Sequence, residues 1–194
     1  MTLILASTSA IRRALLDQAG IPFAIEAPSV DEAAIEASHA GPDFELALSL
    51  AEAKAAAVSS LHPESWVIGG DSVVSVEGRR FTKPRDRDEA AEHLRAFSGR
   101  PMRLVGAVAL ANGGRVDWNH IADAVLHVRP LSEDFIRAYL DAEWPTVSYC
   151  VGVFRMEGRG VTLFDEVEGD HFTILGLPLL PLLGALRDRE LMPS

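Results

Sequence analysis

Apolar positions along this chain alternate between short continuous runs and stripes spaced by three and four residues, which predicts strands and amphipathic helices in turn. Residues 2–6 form an apolar run suited to a buried strand, and Ser7-Thr8-Ser9 then places hydroxyls where a helix should begin. Ile11, Leu15 and Ala19 recur at fourfold spacing and Gly20 supplies a left-handed stop, which predicts a helix between Ser9 and Gly20. Residues 23–27 read as a second strand closed by Pro28, and Val30-Asp31-Glu32 reads as an acidic loop. A long helix is expected over 43–61, with Phe44, Leu48, Ala51, Ala55 and Val58 on its apolar stripe and Lys54 near the flank. Trp66-Val67-Ile68 then has the character of a central strand. Gly69 and Gly70 after it allow close approach of backbone or ligand.

Val73, Val74 and Val76 continue in extended form to the turn dipeptide Glu77-Gly78. The chain returns to Lys83, where Pro84 disfavours helix. Residues 88–97 predict a helix, and 103–110 with 115–121 a hairpin turned at Asn112-Gly113-Gly114. Residues 124–128 read as another strand. Ser132 caps a helix with Glu133 and Asp134 in its first turn and Phe135, Ile136, Tyr139 and Leu140 facing inward, ending before Trp144-Pro145. The glycine-punctuated stretch 149–160 is expected as loop, 161–167 as strand and 178–186 as a terminal helix. Early alternation of strand and helix with an antiparallel hairpin in the middle predicts an α/β fold with a mixed sheet. Residues 1–194 are expected as one domain; if it has two lobes, they share one curved sheet with the cleft between them.

Composition narrows the function. At 194 residues and 48% hydrophobic content the chain can bury a core without disulfides or structural metals, and its single Cys150 leaves no disulfide and no thiolate cluster for zinc. No apolar run approaches the ~20 residues of a membrane span, and the first residues lack the basic flank of a signal peptide, so a soluble cytoplasmic protein is expected. The net charge of −10 opposes broad attraction to nucleic acid or anionic lipid. Any phosphate must therefore meet a local cluster of cations.

Arg12 and Arg13 form such a cluster. They fall in the first turns of the first helix, the unfavourable end of its macrodipole for cations. An anion there would meet backbone N–H groups, the hydroxyls of Ser7 and Ser9, and both guanidiniums. Asp71 sits where the strand leaves its densest part, and Lys83 closes the same ribbon; the ordinary alternative is a core strand ending in a capping Asp and a solvated lysine. Asp31 and Glu32 are ordinary solvated carboxylates unless Asp71 lies near, in which case a hard divalent cation shared with phosphate becomes natural. Lys54 taken alone reads as a solvated or snorkelling lysine.

These residues also carry a resemblance over nearly the whole chain. Leu5-Ala-Ser-Thr-Ser-Ala-Ile-Arg-Arg13, Val30-Asp-Glu32, Leu50-Ala-Glu-Ala-Lys54, Gly69-Gly-Asp71, Lys83-Pro84, Phe97-Ser-Gly99 and Gly176-Leu-Pro178 resemble, in order and spacing, the motifs of the Maf family of nucleoside triphosphate pyrophosphatases. The resemblance implies a mixed curved sheet flanked by helices, of the Maf and inosine-triphosphatase kind, with a phosphate-binding cleft. It also implies magnesium or manganese dependence, often a homodimer, and hydrolysis of a nucleoside triphosphate to monophosphate and pyrophosphate. Carried over by position, Ser7, Ser9, Arg12, Arg13, Lys54 and Lys83 would bind the phosphates. Asp71 would deprotonate water or hold the metal, with Glu32 as its partner ligand. The spacing of the opening motif and the glutamate of Phe154-Arg-Met-Glu157-Gly158 are similar to the subgroup acting on 7-methyl-GTP. Ile11 and Ser72 depart from that subgroup, so Ile11, Ser72 and Glu157 are the candidate base-reading positions. Two other functions are weighed against this one. The first is a nucleotide-sensing regulator of cell division, opposed by the presence of every charged motif residue. The second is a serine esterase built on Gly70-Asp71-Ser72 and the Asp117-x-x-His120 pair, which would leave the arginines and lysines unused.

Overall fold

The computed structural model describes residues 2–193. Among them the strands are β1 (Leu3–Ala6), β2 (Ala24–Glu26), β3 (Trp66–Val76), β4 (Arg79–Phe81), β5 (Pro101–Asn112), β6 (Arg115–Val128) and β7 (Phe164–Gly169). The helices are α1 (Ala10–Gln18), α2 (Glu32–Ser38), α3 (Asp43–Leu61), α4 (Arg87–Phe97), α5 (Glu133–Glu143), α6 (His171–Ile174) and α7 (Leu179–Asp188). The sheet runs β2-β1-β3-β5-β6-β7, with β4 on β3. β1 is parallel to β2 and β3, whereas β4 on β3 and β7 on β6 are antiparallel, so the sheet is mixed, as the pattern predicts. No helix of the described residues is long and apolar enough to cross a membrane.

Within the described residues, 2–72, 105–122 and 170–193 form one compact unit, and 73–104 with 123–169 form another. In the first unit the strands bury both faces. Leu3, Leu5, Ile68, Val108 and Leu110 turn one way, packing with Leu15 and Leu16 of α1 and Leu182 and Leu186 of α7. Ile4, Ala6 and Val67 turn the other way onto Val58 of α3. Period-two alternation on parallel strands thus explains why residues 3–6 are buried without exception. Each fully buried leucine contributes about 1.5–3 kcal/mol over its exposed state.

Several elements differ from expectation. The acidic loop is the start of α2: Asp31 is its N-cap, accepting from the Ala34 N–H at 3.0 Å. Residues 124–128 are the end of β6, because no Gly or Pro breaks the run from Arg115. β7 begins at Phe164, since residues 159–163 form a 3-10 turn. The short helix α6, capped by Asp170 on the Thr173 N–H at 2.8 Å, has no counterpart among the elements that the hydrophobic pattern predicts. The buried face of α3 runs through Leu46, Ala47, Leu50, Ala51, Lys54, Ala55 and Val58, while Phe44 is exposed.

In the second unit α4 and α5 are joined by Arg95, which donates to both Glu133 oxygens at 2.8 and 2.9 Å, and by Arg87 on Asp141. Beneath α4, buried His93 lies edge-on to Phe81 at 5.0 Å, and Phe81 edge-on to Phe97 at 4.7 Å. His93 Nδ1 has no hydrogen-bond partner among the described residues. Burial lowers its pKa from the ordinary 6.5, opposed chiefly by Glu89. The folded state therefore favours neutral His93: its contribution is complete above about 6.5 and is lost as pH falls toward the depressed folded value. Replacing His93 with Phe should leave stability at pH 7.5 within about 1 kcal/mol of wild type. It should also remove a loss of up to about 1.4 kcal/mol per pH unit below 6.5. Urea midpoints at pH 7.5 and 5.5 measure this, and an equal acid-side loss in both proteins contradicts it.

Candidate active site

The site begins with two glycines of β3. A Cβ on Gly69 would lie 2.2 Å from the Ala51 carbonyl oxygen and 2.7 Å from the Ala55 nitrogen, so α3 is seated on bare strand backbone. Asp71 is two residues further and on the same face of β3. Lys54 lies between Ala51 and Ala55 on α3, in the middle of its buried stripe. Its Nζ donates to Asp71 Oδ1 at 2.6 Å and pairs with Glu32 Oε2 at 2.7 Å. Lys54 and Asp71 are 6% and 8% exposed, whereas the Glu32 side chain keeps 46%. Of the two adjacent carboxylates, Asp31 is committed to capping α2 and Glu32 alone reaches Lys54.

Gly70 faces the other side. A Cβ there would stand 3.4 Å from Arg12 Nε. Arg12 donates from Nε to the Gly176 carbonyl at 2.7 Å and from Nη2 to Ser72 Oγ at 3.1 Å. Gly176 adopts φ 104, a conformation that suits glycine. The Arg12 residue keeps some exposure, but its guanidinium is desolvated. That burial lowers its pKa, opposed by the negative charge of Asp71 and then Glu32. The four charged groups thus sense one another around the double glycine.

At the start of α1, Ser9 is the N-cap and accepts from the Arg12 N–H at 3.4 Å, while buried Ser7 accepts from the Ser9 N–H at 3.1 Å. Both hydroxyls are acceptors here and retain their own hydrogens to donate. Ile11 is half-buried in the same turn. Arg13 points outward and pairs with Asp17 at 3.4 Å, with its side chain 61% exposed.

Lys83 and Glu157 belong to the second unit. Both are exposed, and both act electrostatically on Cys150. Burial first, and Glu157 next, push the Cys150 thiol up to about 11, so it is no thiolate nucleophile. Glu157 rides on a loop held by groups outside the motif set. Arg155 donates to buried Glu143 Oε2 at 2.8 Å, and Tyr139 Oη donates to the carbonyl of Val153, which holds the left-handed φ of 55. A signal for Glu143 existed, because it falls on the same stripe of α5 as Ile136, Tyr139 and Leu140.

Glu32 and Asp71 are hard oxygen donors of the kind a magnesium or manganese ion takes, and they fit it. Among the described residues no group of three or more His, Cys, Asp and Glu could hold a metal ion, so a cation here would complete its shell with phosphate oxygens or water.

The sequence model of a family described as Maf-like protein matches residues 2–189. The chain belongs to the Maf family. A 7-methyl-GTP pyrophosphatase of Rhizobium etli is 48% identical to this Maf chain over 190 residues, covering 96% of it and 95% of the relative. A nucleoside triphosphate pyrophosphatase of Rhodopseudomonas palustris is 46% identical over 191 residues, covering 98% and 95%. The solved structure of the Staphylococcus aureus Ham1 protein aligns with 98% of the Maf chain and 100% of its own, at a TM-score of 0.48 and 13% identity.

The esterase reading finds no dyad. Asp117 and His120 are three residues apart on β6 and so face opposite ways. Asp117 pairs with Arg189 at 2.5 Å, and His120 stacks on Trp118 at 6.1 Å. The close seat of α3 is testable. Gly69→Ala should lower stability by about 1–3 kcal/mol, because the new methyl meets backbone. Gly70→Ala, whose methyl would make near-ordinary contact with Arg12 and Leu177 at 3.4 Å, should cost clearly less in the same urea titration.

Proposed function

We propose that this Maf protein hydrolyses nucleoside triphosphates between the α- and β-phosphorus, releasing nucleoside monophosphate and pyrophosphate. The observation that carries this reading is the buried Asp71–Lys54 pair, joined by the more exposed Glu32, with desolvated Arg12 beside it and the N-terminus of α1 following β1. The names of its relatives support the same reaction class. The substrate phosphates bind the hydroxyl donors of Ser7 and Ser9, the first-turn N–H groups of α1, and the guanidiniums of Arg12 and Arg13. Lys54 and Lys83 offset charge that accumulates on the departing pyrophosphate.

Asp71 accepts a proton from the attacking water. As that water's oxygen bonds to the α-phosphorus, the bond from the α-phosphorus to the bridging oxygen breaks and its electron pair leaves with pyrophosphate. Glu32 and Asp71 would hold a magnesium or manganese ion, which would supply further neutralisation of phosphate charge. The desolvation of Asp71 and Lys54 makes each of these interactions stronger than in water. The protein acts on free nucleotide, in keeping with its net charge of −10. It does so in the cytoplasm and as a homodimer.

For the base, the first substrate to try is 7-methyl-GTP, the compound for which the Rhizobium etli relative is named. Glu157 carries the recognition: its exposed carboxylate suits a methylated, cationic base and accepts from guanine N–H groups. Ser72 contributes less, because its hydroxyl already accepts from Arg12. Ile11 supplies an apolar flank.

A panel of canonical and modified triphosphates with pyrophosphate detection tests the reaction. Asp71→Asn should reduce kcat roughly a hundred- to ten-thousandfold while nucleotide still binds. Normal turnover by that variant, or release of orthophosphate by wild type, contradicts the mechanism. Glu157→Gln should lower kcat/KM for 7-methyl-GTP about tenfold or more relative to GTP. Equal losses on both substrates would remove Glu157 from base recognition.

A further inference from the structure

We propose that Lys54 is a placeholder for the divalent cation: in the nucleotide-free protein its ammonium holds Glu32 and Asp71, and thereby makes metal binding conditional on nucleotide. The inference rests on the triphosphate reading of the site.

The geometry behind it is the position of Nζ, 2.6 Å from Asp71 Oδ1 and 2.7 Å from Glu32 Oε2. These two oxygens belong to the carboxylates that would ligate the cation. A site with only two protein carboxylates is weak for magnesium to begin with. Here those carboxylates already balance two cations, Lys54 directly and the Arg12 guanidinium through space. A divalent ion entering alone would add two positive charges to a charge-matched cluster whose Lys54 and Asp71 are buried, next to an ammonium with which it competes.

Nucleotide changes the balance. Its phosphate oxygens give Lys54 a new anionic partner and give the metal the ligands that the protein lacks. The ammonium then passes from the carboxylates to the phosphates as the metal takes its place. Lys54 is suited to this exchange because an ammonium is a compact charge on a flexible stem, unlike the fixed fork of Arg12. Until then it spares Asp71 and Glu32 mutual repulsion and keeps both carboxylates in place. By linkage, metal and nucleotide must each tighten the binding of the other.

The experiment is manganese binding, read by the electron paramagnetic resonance of free Mn²⁺, on the whole chain with and without a triphosphate whose α,β bridge is methylene, with the Mn²⁺ bound by the analogue in protein-free solution subtracted. Wild type should bind Mn²⁺ at least about tenfold more tightly when the analogue is present. Lys54→Met should bind Mn²⁺ at least about tenfold more tightly than wild type without nucleotide, and should lose most of the coupling. Adding Glu32→Gln to Lys54→Met should abolish that gain, which locates the ion at this carboxylate pair. Equal Mn²⁺ affinity of wild type with and without the analogue overturns the proposal, and this arm needs no variant. Lys54→Met that binds Mn²⁺ no better than wild type also overturns it. The readout is separate from hydrolysis. If no triphosphate yields pyrophosphate but Lys54→Met gains manganese affinity, the placeholder stands and the pyrophosphatase reading falls.

Discussion

A lysine ammonium taken out of water must be met by negative charge, and the way Lys54 is met constrains much of the first unit. Transferring such an ion into the interior costs several kcal/mol unless partners satisfy it. Asp71 at 2.6 Å and Glu32 at 2.7 Å do so. For Lys54 to reach Asp71, α3 must lie against β3 more closely than side chains normally permit. That closeness requires Gly69 on the strand and small residues, Ala51 and Ala55, on the helix. For Glu32 to arrive, α2 must start at it, which Asp31 secures by capping. A backbone feature, a packing feature and a cap thus converge on one nitrogen.

Arg12 presents the same problem on the opposite face of β3. Its place in the first turn of α1 is unfavourable to the helix dipole, and burial lowers its pKa further. Two neutral acceptors, the Gly176 carbonyl and Ser72 Oγ, take specific N–H groups, while Asp71 and Glu32 supply the charge. Ser72 and Gly70 share one face of β3, and Asp71 and Gly69 the other. One four-residue segment, residues 69–72, therefore serves the lysine on one side and the arginine on the other. The double glycine is what lets both approach.

The mixed α/β class and most elements were legible because they rest on local signals: the alternation in residues 3–6, the Gly113-Gly114 turn, the Ser9 and Ser132 caps. What was not legible depended on phase or on tertiary partners. The hydrophobic pattern of α3 includes Phe44, which is exposed, and so lies slightly out of phase with the buried face. That puts Lys54 at the pattern's edge, and hydrophobicity alone cannot reveal a lysine that is buried because carboxylates from elsewhere meet it. The choice between Asp31 and Glu32 turned on one capping bond. The Glu143–Arg155 pair behind the Glu157 loop lay outside every motif, although a carboxylate on the apolar stripe of α5 was a visible anomaly.

A strongly acidic chain that handles phosphates faces a conflict, because cations gathered to attract substrate would be drawn to its own carboxylates. Here the conflict is resolved by letting them be drawn: Lys54 is paired internally and Arg12 is balanced by the same two carboxylates. A matched cluster is affordable in the interior, whereas the same cations unpaired would not be. The consequence is that each member of the cluster has two functions at once. Removing Asp71 or Glu32 strands a buried cation as well as removing chemistry, and removing Lys54 leaves Asp71 without its nearest counter-charge. Loss of activity in any such variant acquires meaning only beside its unfolding free energy, and the binding of metal and nucleotide measured apart from turnover separates the two.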